Sequence, residues 1–178
     1  MRKLKLGFIL VAVGLFFVSC TSFPTPDENA QTLVVGQIVS EASGFFNYGS
    51  ATVNGINKDG IEIIIKNAES GKTYVMTSQK DGMFYSTDIP KGYYILTKLY
   101  YKKTTLFRWA DLWLESLDEF EIVEGVVNNF GILDWTSVRA ARFTLTANKE
   151  YEQVRVLFEG RSQASNWNLR EWKNVRLL

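Results

Sequence analysis

The side chains that could do covalent or acid–base chemistry are few in this sequence. The chain of 178 residues contains one cysteine, Cys20, and no histidine. Without histidine, the Ser-His-Asp and Cys-His arrangements are excluded, and the commonest ligand of catalytic zinc is absent. The usual proton-transfer group near neutral pH is missing as well. An enzyme built on this chain would therefore have to use carboxylates, lysine or tyrosine.

Carboxylates gather in one stretch of the second half of the chain. A pair of them could serve glycoside hydrolysis, which needs two acids flanking the scissile bond. These acids are Asp111, Glu115, Asp118, Glu119, Glu121 and Glu124. They alternate with apolar residues, as on a solvated sheet face, and no two stand out. Asp81-Gly82 lacks the alternating acids of a calcium loop and is typical of a turn. The sequence thus predicts no enzyme, no catalytic residue, no cofactor and no metal site.

Aromatic residues are the remaining candidates for binding. Phe45, Phe46 and Tyr48 lie in a glycine-rich loop over 41–60, where burial is not assured. A predicted strand over 93–102 also carries aromatics on both faces. Alternation places Tyr94, Leu96, Lys98 and Tyr100 on one face and Tyr93, Ile95, Leu99 and Tyr101 on the other. One face must be core, while exposed aromatics could meet a sugar or a protein.

The N-terminus has the pattern of a secretory signal. Arg2, Lys3 and Lys5 precede an uncharged apolar run over 6–18. That run is shorter than the roughly 20 apolar residues of a spanning helix. A cationic start, a short apolar run and a small residue before a cut describe a signal peptide. An uncleaved membrane anchor is the alternative.

The stretch Phe17-Val18-Ser19-Cys20 resembles the lipobox of bacterial lipoproteins. Ser19 and Cys20 match that motif, whereas Phe17 stands where leucine is usual. The resemblance implies that the signal is cut before Cys20, that the Cys20 thiol carries a diacylglycerol, and that the new amine is often acylated, for example with palmitate. One acyl chain holds a protein only marginally, so two or three would anchor it stably.

Short strand patterns separated by turn signals fill the middle of the chain. Strands are expected over 33–40, 61–66, 72–78, 83–87 and 93–102, with a shorter one over 51–53. The segments NAESGK and KDG supply turns, because glycine tolerates the positive φ that such turns require. This spacing predicts a mainly β protein built as a β-sandwich.

The same stretch resembles the carboxypeptidase regulatory-like domains, which have a transthyretin-like (prealbumin-like) sandwich. The matching motifs, in order, are Gly36-Gln37-Ile38, the strand 61–65, Asp81-Gly82-Met83-Phe84, Pro90-Lys91-Gly92-Tyr93-Tyr94 and a closing hairpin over 120–133. The likeness covers about 33–134, apart from 41–60 and 104–118. It implies a structural, docking or glycan-contacting module without catalytic residues.

The remaining segments are less regular. Residues 104–116 fit a strand or a helix, and a strand is favoured because strands flank them. A further strand is expected over 139–146. Residues 148–161 predict a helix capped by Asn148 and ended by Gly160, and 168–175 predict a short helix capped by Asn168. We expect both helices to pack on the sandwich.

These features predict four parts: a signal peptide (1–19), a lipidated N-terminus and flexible tether (20–31), a sandwich (32–135) and a C-terminal strand with helices (136–178). Residues 20–178 carry 17 Lys and Arg against 19 Asp and Glu, a net charge of −2. That charge predicts no nucleic-acid partner. We expect an envelope lipoprotein, anchored through Cys20 in the cell membrane or outer membrane, with its domain in the periplasm or at the cell surface. Its module would be structural or protein-docking, or alternatively glycan-binding.

Overall fold

The computed structural model describes residues 25–42, 60–103, 108–113, 119–139, 142–148, 150–162 and 165–177. Within these ranges the chain is mainly β, with one α-helix and one 3₁₀ turn near the C-terminus. The strands are β1 Leu33–Ala42, β2 Ile61–Asn67, β3 Thr73–Thr77, β4 Met83–Ser86, β5 Gly92–Lys103, β6 Arg108–Trp113, β7 Phe120–Ile122, β8 Val127–Arg139, β9 Arg142–Asn148 and β10 Trp172–Asn174. The helix α1 is Tyr151–Arg161, and the 3₁₀ turn is Asn166–Leu169.

The strands form two sheets, each four strands wide. Sheet A has the order β10-β8-β1-β4, and β9 also pairs with β8. The strand β1 pairs with one edge of β8. On the other edge of β8, β10 pairs with the first part of the strand and β9 pairs with the second part. Sheet B has the order β3-β2-β5-β6. On the edge of β5 away from β2, β7 pairs with the start of the strand and β6 pairs with its end. The pairs β1–β8 and β10–β8 are parallel, and the other pairs are antiparallel.

The two sheets pack face to face around the main apolar core, so the predicted β-sandwich is confirmed. Alternation along β2 turns Ile61, Ile63 and Ile65 inward, where all three are buried. Sheet A contributes Phe84 and Phe130, whose rings meet edge to face with centroids 6.1 Å apart. Gly36 on β1 allows this packing, because a Cβ there would lie 2.3 Å from Cζ of Phe84.

A second apolar cluster covers the outer face of sheet A. Val154 and Phe158 of α1 are buried there together with Trp167 of the 3₁₀ turn. They pack on outward residues of sheet A such as Leu33 and Val127. The described molecule therefore has three layers, with the C-terminal segment on sheet A and sheet B on the far side. Of the two helices expected to pack on the sandwich, the first corresponds to α1, which packs on sheet A.

Several local predictions are confirmed. Residues 67–72 connect β2 to β3 as a tight hairpin, in which Gly71 has φ +69°. Gly82 has φ +85° in the predicted turn before β4. The ambiguous segment 104–116 contains strand β6, as favoured. The expected strand over 51–53 lies outside the described residues.

A bulge corrects the predicted faces of β5. The register with β2 shifts between Ile64 and Ile65, where Thr97 is the extra residue, and its hydroxyl donates to the carbonyl of Ile64. A bulge moves every later side chain to the opposite face. Leu99 is therefore buried in the core on the same face as Tyr94 and Leu96. Lys98, predicted to share that face, is only partly buried.

The predicted closing hairpin over 120–133 is wrong. β7 pairs with β5 in sheet B, whereas β8 pairs with β1 in sheet A, so the chain crosses between sheets here. The buried amide of Asn128 supports the crossing. The Val123 N–H donates to Oδ1 of Asn128 at 2.9 Å, and Nδ2 donates to the Val123 carbonyl at 2.9 Å. Val123 therefore pairs with a side chain instead of a neighbouring strand.

The C-terminal helices also differ from prediction. Asn148 is the last residue of β9, and α1 begins after Glu150 without a side-chain cap. Gly160 lies inside the last turn, and α1 ends at Arg161. Ser162 is the C-cap, and its hydroxyl donates to the Phe158 carbonyl at 2.7 Å. In place of a second α-helix over 168–175, the chain forms the 3₁₀ turn and then β10. The free edge of β8 supplies partners for three backbone residues there, which an isolated short helix could not match.

The segment before β1 is only in part a tether. Residues 26–31, here called the N-terminal strap, lie against the 3₁₀ turn, and Pro26 is buried. The strand β8 likewise runs through the boundary placed at residue 135, reaching Arg139.

Candidate functional site

The residues that the sequence singles out for anchoring and binding lie outside the described ranges. These are Cys20 for lipidation and Phe45, Phe46 and Tyr48 for binding. Their roles stay predictions.

Two of the clustered carboxylates are engaged in ion pairs. Glu121 of β7 accepts from Nζ of Lys173 at 2.6 Å, which links sheet B to β10 of sheet A. Glu124 accepts from Nζ of Lys91 at 2.7 Å, and this contact raises the pKa of Lys91. Both pairs are partly exposed, so solvent screening leaves each of them little effect on the stability of the fold. The two acids link neighbouring loops and strands rather than facing each other.

An open cavity of about 340 Å³ lies between α1 and β10. Its walls hold two aromatic rings, two amides and two charged groups, from Asn129, Tyr151, Glu152, Arg155, Trp172 and Asn174. The parallel pairing of β10 with β8 brings Trp172 and Asn174 next to the helix. No sequence pattern predicts this cavity, because its walls come from three elements, β8, α1 and β10, that only the tertiary fold brings together.

The cavity walls are held by internal hydrogen bonds. Nδ2 of Asn129 donates to the carbonyl of Tyr151 at 2.9 Å, and the Tyr151 hydroxyl donates to the Val175 carbonyl at 3.1 Å. The guanidinium of Arg155 lies 5.7 Å from the Trp172 ring centroid and donates to Oε1 of Glu159 at 2.8 Å. That hydrogen bond raises the pKa of Arg155, which stays cationic. The Trp172 indole N–H is buried without a hydrogen-bond partner among the described residues. The result is a hydrogen-bonded, polar recess with two aromatic rings in its walls.

The outer face of sheet B is a second candidate surface. α1 and the 3₁₀ turn pack on sheet A, and no described helix packs on this face. Val75 is 52% exposed and Tyr93 48% exposed here, with Ile64 and Ile95 half-buried beside them. Nζ of Lys98 lies 4.8 Å from the Tyr100 ring centroid on the same face. The face is therefore mixed, with apolar side chains between cationic and hydroxyl groups.

The N-terminal strap is bound at a third location. The Trp167 indole donates to the Asp27 carbonyl at 3.0 Å. The side chain of Glu28 accepts from the backbone N–H and the amide of Asn166 at 3.1 and 2.8 Å. The Arg170 guanidinium donates to the Glu28 carbonyl at 3.4 Å and lies 3.8 Å from the Trp167 ring centroid. The end of the chain that leads to Cys20 is thus fixed to the C-terminal turn.

The described ranges contain no cluster of three acidic, cysteine or histidine side chains that could hold a metal ion. None of the helices in those ranges is long and apolar enough to cross a membrane. No protein-family model matches the chain. A search of curated proteins finds no match either.

Proposed function

We propose that this protein is a membrane-anchored envelope lipoprotein whose β-sandwich acts as a non-catalytic structural or protein-docking module. The observation that carries the proposal is the signal-like N-terminus ending in Phe17-Val18-Ser19-Cys20. In this proposal, the domain lies in the periplasm or at the cell surface. It is held to the cell membrane or outer membrane through Cys20.

We further propose that the sandwich is a carboxypeptidase regulatory-like domain with transthyretin-like topology. The motifs that suggest this lie in strands and turns of the described sandwich. Gly36-Gln37-Ile38 lies on β1, Asp81-Gly82 forms the turn before β4, and Pro90 and Gly92 come at the start of β5. The crossing between β7 and β8 departs from the closing hairpin expected for that family.

The outer face of sheet B supports a docking role. Val75 and Tyr93 are about half exposed there, and exposed apolar side chains of this kind can bury against a partner protein. Helix α1 occupies the corresponding face of sheet A. Among the described residues, no helix covers the outer face of sheet B, which supports our proposal that a partner binds there.

Anchoring is tested by Cys20→Ala. Each acyl chain contributes about 0.8 kcal/mol per buried CH₂, so loss of the lipid should move the protein out of the membrane fraction or leave its signal uncleaved. Intact-mass spectrometry and detergent phase partitioning report both outcomes. Ser19→Ala is the matched control, since it keeps a small residue before the cut, and should stay lipidated. An unmodified Cys20 in the natural protein would contradict the anchor.

Glycan binding is the alternative function. The recess beside Trp172 favours it, because aromatic rings with neighbouring amides and charged groups can hold a sugar by stacking and hydrogen bonds. The predicted binding aromatics Phe45, Phe46 and Tyr48 would act in the same way. Both sets could serve as sugar contacts without any catalytic group.

One comparison separates docking from glycan binding. Val75→Glu introduces a charge into the sheet B face, and we expect it to reduce protein cross-links in intact cells by about tenfold or more, as a hot-spot loss does. Phe46→Ala should leave those cross-links unchanged. Under the alternative, Phe46→Ala weakens binding to isolated envelope glycan and Val75→Glu does not. If Phe46→Ala instead costs about 3 kcal/mol of stability with binding unchanged, residues 45–48 form a structural loop.

A further inference from the structure

The bound N-terminal strap limits how the domain can sit relative to a membrane. Described residues begin at Thr25, and five peptide steps separate Thr25 from Cys20. Whatever their conformation, five steps span at most about 18 Å. A globular domain of this length measures about 40 Å across. The membrane-anchored end therefore cannot reach around the domain to its far side.

The anchored end of the domain consists of the strap and the 3₁₀ turn. Four hydrogen bonds join Asp27 and Glu28 to residues of the turn and its flank. Trp167 at the centre of the turn is fully buried, and the Ser165 side chain accepts from the backbone N–H of Trp167. The turn is therefore a fixed part of the domain surface and follows any anchor placed on the strap.

The 3₁₀ turn presents an apolar side chain to solvent. Leu169 is 87% exposed, more than the other exposed large hydrophobic residues among the described ones. The strap contributes two acids, Asp27 and Glu28, and the turn is followed by one base, Arg170, whose guanidinium donates to the Glu28 carbonyl. The surface formed by residues 26–29 and 166–170, here called the strap face, thus combines one protruding leucine with two acids and one base, a net charge of −1.

We propose that the strap face lies against the phospholipid bilayer, with Leu169 inserted at the headgroup level beside the lipid on Cys20. This inference rests on the proposed lipidation of Cys20. The short tether holds the strap face close to the bilayer, and the fixed turn aims Leu169 at it. Because the strap face carries a net charge of −1, the contact gains nothing from anionic lipid. The layer order then places sheet A next and sheet B about 10 Å beyond it, with its outer face directed away from the membrane.

The contact is tested by photo-cross-linking in the full chain. Leu169→p-benzoylphenylalanine is produced in bacteria, extracted and reconstituted in phosphatidylcholine vesicles. Val75→p-benzoylphenylalanine is the matched control, because Val75 is exposed on the outer face of sheet B. We expect lipid adducts at position 169 to exceed those at position 75 by about tenfold, because interfacial groups enter only about 5–10 Å into the bilayer.

The same sample separates failure of this inference from failure of the proposed function. Intact mass reports whether Cys20 carries lipid. A lipidated protein with no adduct at position 169, or with equal adducts at both positions, overturns the membrane-facing orientation while leaving the anchor in place. A protein without lipid on Cys20 overturns the anchor and the orientation with it.

A longer tether provides the second test. Ten Gly and Ser residues are inserted between Thr21 and Ser22. This insertion leaves the strap and the turn unchanged, but it lets the strap face move farther from the bilayer and rotate relative to it. We expect the adduct at position 169 to fall by about threefold or more, because effective concentration decreases as a linker lengthens. An adduct that is unchanged while Cys20 stays lipidated would show that the short tether does not orient the domain, and would overturn the inference.

Discussion

Phe130→Ala is expected to lower the free energy of unfolding by about 3–5 kcal/mol, as truncation of a buried phenylalanine does. Phe130 is 1% exposed on β8, between the two sheets. Its ring meets Phe120 of sheet B with centroids 5.1 Å apart and Phe84 of sheet A with centroids 6.1 Å apart. Alanine would leave a cavity and remove an aromatic contact to each sheet.

Urea unfolding of the variant and the natural protein measures this loss. Typical domains have only about 5–15 kcal/mol of stability in total, so the midpoint should shift far to lower urea. Val156→Ala is the matched control, because Val156 is 59% exposed on α1 and should change stability by about 0.5 kcal/mol or less. A loss below about 1 kcal/mol for Phe130→Ala would contradict the position of the ring in the core.

Asn128→Asp is expected to destabilise the fold by about 3–5 kcal/mol near neutral pH, because it places an unpaired charge in the interior. Asn128 is fully buried. Its Nδ2 donates to the carbonyls of Val123, Leu33 and Val126 at 2.9, 3.2 and 3.4 Å. A carboxylate would keep the acceptor for the Val123 N–H but set a negative oxygen against three carbonyl oxygens.

The loss should depend on pH in one direction. In the unfolded chain the new carboxyl has a pKa near about 3.9, and burial raises its pKa in the folded state. The folded state then binds more protons, so the stability of the variant falls as pH rises above about 4. Below that pH both states are protonated, and only the lost hydrogen bonds remain. The difference from the natural protein should therefore be smaller at pH 3.5 than at pH 7.5.

Urea unfolding at both pH values tests this, with Asn174→Asp as the control, because Asn174 is exposed on β10. The control should show a small, nearly constant difference. Equal losses for Asn128→Asp at the two pH values would mean that the carboxyl is solvated, contrary to its complete burial in the crossing between β7 and β8.

Local signals in the sequence account for much of the described fold. The hairpin from β2 to β3 follows from a glycine-containing turn between two alternating runs, and the buried Ile61, Ile63 and Ile65 follow from their spacing. The core of α1 follows from the helical spacing of Val154 and Phe158. These features need only neighbours within a few residues, so a single sequence carries them.

The candidate recess could not be predicted in the same way. Asn129, Tyr151 and Trp172 meet there only because β10 adds to a free edge of β8 beside α1. A three-residue segment has no periodicity by which to recognise a strand, and its capping-box pattern favoured a helix. The pairing of β10 depends on backbone groups of β8 that are free to accept it, and these lie more than forty residues earlier in the chain.

The sequence alone determined the mainly β character, the turns, the absence of histidine chemistry and the hypothesis of a lipid anchor at Cys20. Tertiary structure decided which sheet each strand joins, because edge pairing depends on which partners are free. It turned Leu99 inward through the bulge at Thr97 and sent β7 and β8 to different sheets through the amide of Asn128. It also bound Asp27 and Glu28 to the C-terminal turn, because Trp167 and Asn166 offer donors there that local sequence does not reveal.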